Sequence, residues 1–162
     1  MTFDEYKKDF WARQPLISFE SGTGHVGPIF TPPPKGIPRW RLDWTILFPD
    51  NNYVRVIDQW DPVKGSRTHG TRASFSFHYG ETPALKDLRG IPKRHPSEPR
   101  VIRIDMESRY NVHLHYENKD HVPETQVYGR AIRDIQIIDF VLAVIVHRSD
   151  HRTFGEILGF HI

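Results

Sequence analysis

Residues 99–124 read PRVIRIDMESRYNVHLHYENKDHVPE, and this stretch decides how the rest of the chain is understood. Apolar and polar residues alternate along it with a period of two, which predicts two short strands joined by a polar turn. On the second strand Val112, Leu114 and Tyr116 point one way, while Asn111, His113, His115 and Glu117 point the other. On the first strand Arg103 and Asp105 share a face between Ile102 and Ile104, and His121 follows just past the turn. One hairpin-sized unit thus gathers an arginine, an aspartate and a set of histidines on strand faces, and the chemistry of the chain is expected there.

Upstream, residues 71–79 give a third strand, with Ala73, Phe75, Phe77 and Tyr79 toward a core and Arg72, Ser74, Ser76 and His78 away from it. Residues 40–48 alternate Trp40, Leu42, Trp44, Ile46 and Phe48 with polar neighbours. They precede a Pro-Asp-Asn-Asn turn at residues 49–52 and another strand over 53–60. Between the strands, residues 61–70 form a turn-rich loop, and 80–98 form a long connection with the length of a flap. Downstream, the period changes to that of a helix over residues 130–148, where Ile135, Ile138, Leu142 and Ile145 share one face. At the start, Phe3, Tyr6 and Phe10 recur at helical spacing behind a Thr2 cap, and Pro15 ends that helix. Residues 18–39 are rich in Gly and Pro and read as an irregular arm. Their glycines lack the Lys-Ser/Thr of a phosphate-binding loop.

The expected architecture is a single α+β domain over residues 1–162. A helix and arm occupy residues 1–39, an antiparallel sheet of about five strands spans 40–117, and a C-terminal helix at 130–148 packs on one sheet face. Arg41, Asp43, Arg72, His78, Arg103, Asp105, His113 and His115 fall on the opposite face. The exposed edges of such an open sheet also make a homodimer an expected form.

Composition narrows the function classes. The chain of 162 residues has no cysteine, so thiolate chemistry and disulfides are excluded and a metal would need His and carboxylate ligands. A formal net charge of +2 argues against bulk polyanion binding. The charge is uneven, however: residues 60–100 carry eight Lys/Arg against four Asp/Glu. No signal-like leader and no long apolar run occur, so a cytoplasmic location with no membrane partner is expected.

Two chemistries suit the His/Arg/Asp face. Metal-free cleavage of RNA needs a base, an acid and a cation at the phosphate. His113 or His115, with His78 or His121 as partner, would move protons near neutral pH. Arg103 would hold the phosphate, and Asp105 would orient an imidazole. No cofactor and no metal are needed in that scheme. The alternative is a metal-dependent hydrolase with His113, His115 and His121 as ligands. A third reading is a non-enzymatic module that binds a protein partner.

The order of motifs resembles the TumE-type toxin family of prokaryotic toxin–antitoxin systems, a family first catalogued as a domain of unknown function. The residues that carry the resemblance are Phe75–Tyr79 (F-x-F-H-Y), Arg103–Asp105 (R-x-D), His113–His115 (H-x-H) and His121-Val122-Pro123, followed by the C-terminal helix. Departures are the N-terminal arm, the long connection after residue 80 and a segment after Asp105 without the family's Asn/Pro/His-rich signature. The resemblance implies a small cytoplasmic toxin whose partner is an antitoxin, often a helix-turn-helix protein. RNA as the target follows from the polar face and not from the family.

Overall fold

A computed structural model describes residues 1–81, 100–108, 111–116 and 119–162. Most of the connection expected at 80–98 lies outside the described residues. So do Glu117 and the basic residues Lys86, Arg89, Lys93 and Arg94.

Helix α1, Phe3–Arg13, begins at a reciprocal cap in which Thr2 accepts from the Glu5 backbone and Glu5 accepts from the Thr2 backbone. It ends in a short 3-10 turn, Gln14–Leu16, at Pro15. Seven strands follow: β1 Gly24–Thr31, β2 Trp40–Leu47, β3 Asn52–Pro62, β4 Gly70–Glu81, β5 Arg100–Ser108, β6 Asn111–Tyr116 and β7 Lys119–Pro123. They form one antiparallel sheet in the order of the sequence, β1 to β7. The α+β class and the terminal helices are as expected, but among the described residues the sheet has seven strands rather than about five. The two additional strands lie at its edges. β1 comes from the Gly/Pro-rich segment read as an irregular arm, and it skips its register across Gly27 and Pro28, so the prolyl nitrogen owes the ladder no hydrogen bond. β7 holds His121.

The last part of the chain is a set of short elements around one helix. The two-residue strand β8, Tyr128–Gly129, pairs with β9, Phe160–His161. Between them stand α2, Ile137–Asp150, and α3, Phe154–Leu158. The helix expected from residue 130 starts instead at Ile137. Residues Ile132–Asp134 make a 3-10 turn, and Gln136 and Asp139 cap the helix proper.

One sheet face meets α1 and α2. Trp40, Trp44, Ile46, Val54, Val56, Phe75, Phe77, Ile102, Ile104 and Leu114 are buried there against Phe10, Phe140, Val141 and Val144. Arg72 belongs to this face, not to the polar one. A bulge sets Gln59 opposite Ser74 but Trp60 opposite Arg72, so Ala73 is the extra residue and the alternation slips by one. The Arg72 guanidinium lies over Phe75, 4.5 Å from its centroid, and pairs with the fully buried Asp58. Among the described residues, no helix is long and apolar enough to cross a membrane.

Candidate active site

Register decides which polar side chains meet. Asp43, Ile57, Ser76, Asp105, His113 and Pro123 follow one another across β2 to β7. The next row is Thr45, Arg55, His78, Arg103 and His115. Paired residues of an antiparallel sheet project from the same face, so both rows lie on the face away from the helices. Arg103, Asp105, His113 and His115 are each no more than 6% exposed, an environment in which polar groups need partners.

Asp105 is the hub. Its Oδ2 lies 2.5 Å from Arg103 Nε, 3.5 Å from His113 Nε2 and 3.6 Å from His115 Nε2. The arginine contact is an ion pair at close range rather than an aligned hydrogen bond. Among the described residues, neither Asp105 Oδ2 nor His113 Nε2 carries an aligned hydrogen bond.

His121 arrives from β7. The ladder between β6 and β7 is irregular between Leu114 and Tyr116, and His121 has a positive φ of 52°. A side chain other than glycine held in that region is strained by about 1–3 kcal/mol. The kink brings its ring to 5.0 Å from that of His113 and 4.5 Å from that of His115. One ligand-capable atom from each of the three histidines lies within 4.8 Å of the others. His113 and His115 are buried, and His121 is exposed.

His113, His115 and His121 form a group that could hold a small divalent ion, and Asp105 stands beside it. At metal–ligand bonds of about 2.1 Å, neighbouring donors of a tetrahedron stand roughly 3.4 Å apart. The separations of Asp105 Oδ2 from the two imidazole nitrogens, 3.5 and 3.6 Å, are close to that edge. Nitrogen and oxygen donors without sulfur suit zinc, manganese or iron.

His78 stands elsewhere. It is buried, stacks on Tyr53 at 5.1 Å between centroids, and has β5 between it and His115. Of the six residues singled out in the sequence, five therefore converge and His78 lies in the adjoining groove. Arg55, which faces the same groove, was missed although the alternation of residues 53–60 carried the signal.

Comparison of the chain with protein-family models, with curated proteins and with solved structures finds no match.

Proposed function

We propose that this protein is a toxin-like, metal-dependent hydrolase that cuts RNA at the Asp105-centred site, and that its partner is an antitoxin. One observation carries the hydrolase reading. His113, His115 and His121 each bring a ligand-capable atom within 4.8 Å of the others, with Asp105 Oδ2 3.5 and 3.6 Å from the first two. A divalent ion, if held there, would supply Lewis acidity at a phosphoryl oxygen and lower the pKa of a bound water. His113, His115 and His121 would hold it, and Asp105 would complete or orient that set. Arg103, tied to Asp105, keeps a permanent positive charge beside the reacting phosphate. The toxin reading draws on the resemblance: its four motifs fall on β4, β5, β6 and β7, neighbouring strands of one sheet.

A metal-free ribonuclease is the second reading, and one contact favours it. The His121 backbone N–H approaches His115 Nδ1 at 3.5 Å, which leaves the proton of a neutral ring on Nε2, facing Asp105. Asp105 would then orient imidazoles for proton transfer. Calorimetric titration of chelator-stripped protein with Zn²⁺ and Mn²⁺ separates the two. One ion per chain is expected, weakened at least about tenfold by Asp105→Asn and lost in His113→Ala. RNA cleavage should stop with chelator and return with the ion. Cleavage that ignores the chelator yet vanishes in His113→Ala would establish the metal-free scheme instead.

A further inference from the structure

Beside the histidine centre, the same sheet face holds a cavity of about 490 Å³. Arg41, Arg55, Gln59, Ser76, His78 and Arg103 are among the residues that line it. We infer that this groove is the substrate-binding arm of the site and takes single-stranded RNA next to the bond that is cut. The inference deepens the hydrolase reading by naming its substrate form, and it rests on that reading for the reaction but not for binding.

Three observations carry it. The first is charge that is not used up. Arg41 Nη2 and Arg55 Nη2 approach the same oxygen, Asp43 Oδ2, at 3.0 and 3.3 Å, so two cations share one carboxylate. The second is an unmet donor. Arg103 is 6% exposed, and its Nη1 has no hydrogen-bond partner among the described residues. A buried guanidinium donor in a cavity wall is costly unless an acceptor arrives, and a phosphate oxygen suits its forked geometry. The third is continuity. Arg55, His78, Arg103 and His115 are successive cross-strand neighbours, so at about 4.8 Å per strand the row runs roughly 14 Å from the groove to the metal ligands.

The parallel row supplies the other half of recognition. Arg41, Gln59 and Ser74 are cross-strand neighbours, and Gln59 and Ser74 offer neutral donors and acceptors alongside the cations. Such groups read base edges, which are accessible when the strand is unpaired, whereas the deep groove of an RNA duplex hides them. A cavity of this volume holds a small ligand or a nucleotide or two and not the width of a duplex. RNA lying across the strands would place phosphates along the Arg55–Arg103 row and carry the next phosphodiester to Asp105 and the histidines.

The test is equilibrium binding of a labelled single-stranded oligoribonucleotide to the full chain, in chelator so that no metal-dependent cut occurs, over a series of salt concentrations. Arg55→Gln should weaken binding about tenfold and lower the salt slope by about 0.7, the loss of one phosphate contact on a single strand. Gln59→Ala should weaken binding without changing that slope. Lys8→Gln, an exposed cation on α1 behind the sheet, should bind like the parent. Melting temperatures check that every variant is folded, and Asp43 keeps Arg41 as partner when Arg55 is removed. Equal affinity of Arg55→Gln and the parent, or equal affinity for a duplex of the same sequence, overturns the groove. If RNA binds with the expected Arg55 dependence but is never cut with any metal, the hydrolase reading fails while the groove stands.

Discussion

Asp58 and Asp105 lie in one sheet, on opposite faces, each almost wholly buried and each paired with an arginine. Their surroundings separate structure from chemistry. Asp58 is saturated: Arg72 donates from Nε to Oδ1 at 2.8 Å and from Nη2 to Oδ2 at 2.9 Å, and the Tyr6 hydroxyl donates to Oδ2 at 3.0 Å. Arg72 also donates to the carbonyls of Arg133 and Ile135, tying the sheet to the segment before α2. Burial and the Asp58 carboxylate together hold the Tyr6 hydroxyl well above the ordinary tyrosine range, so it is a donor at neutral pH. Asp105 instead spreads one oxygen over an arginine and two imidazoles, none of them in an aligned hydrogen bond to it. Removing the cation from the saturated site should therefore be a pure stability lesion. Arg72→Ala leaves Asp58 buried and half-satisfied and is expected to cost about 3–5 kcal/mol in urea unfolding. Tyr6→Phe deletes only one hydrogen bond and should cost about 1–2 kcal/mol. Equal stability of Arg72→Ala and the parent would show that Asp58 is neutralised by other means.

At the scale of elements, α2 is anchored at its first turn by charge. Asp139 accepts from the Gln136 backbone, pairs with Arg130 at 2.6 Å and pairs with Arg13 at the end of α1. Burial works against ionisation, but the Arg130 hydrogen bond, the Gln136 N–H and the Arg13 charge prevail and hold its carboxyl below the usual range. A carboxyl depressed in the folded state contributes stability that is present above its unfolded value and lost as pH falls through the folded one. Thermal unfolding should thus show a melting temperature that drops as the solution is acidified below about pH 4, and Asp139→Asn should lower it at neutral pH while flattening that acid limb. An acid limb of the same depth in the variant would assign it to other carboxylates. The same element shows what sequence reading can and cannot reach. Its apolar face was legible from the 3.6-residue period despite a β-branched run, whereas its start was not, because Ile132 and Ile135 keep the apolar rhythm while the backbone makes a 3-10 turn. Strands β2 to β6 were legible because each alternates. β1 was not, since Gly and Pro in an edge strand look like a loop, and the slip at Ala73 moved Arg72 to the other face because a bulge leaves no mark on a pattern of two.

For the whole molecule, the antiparallel order β1 to β7 does the assembling. Because sequence neighbours are sheet neighbours, motifs separated by up to some tens of residues land on adjacent strands, so Arg103, Asp105, His113 and His115 were legible from local alternation, whereas the approach of His121 depends on the kink in β7. The groove was not, since Arg55 and Gln59 acquire meaning only through their register with His78 and Ser74. One face carries the core and the other the polar rows, so the site can be emptied without opening the core. This separation gives the toxin proposal a clean trial. The parent chain, expressed from a tightly controlled promoter, should arrest growth, and the double variant His113→Ala/His115→Ala should not, at equal soluble yield and with a cooperative melting transition above the growth temperature. The two imidazoles lie on the face away from α1 and α2, so their loss removes ligands and proton carriers without touching Phe77, Ile104 or Leu114. Arrest by both chains alike would locate toxicity outside this face and move the protein toward a binding role. Arrest by neither would remove the toxin reading and leave the metal and RNA measurements to judge the site as an enzyme.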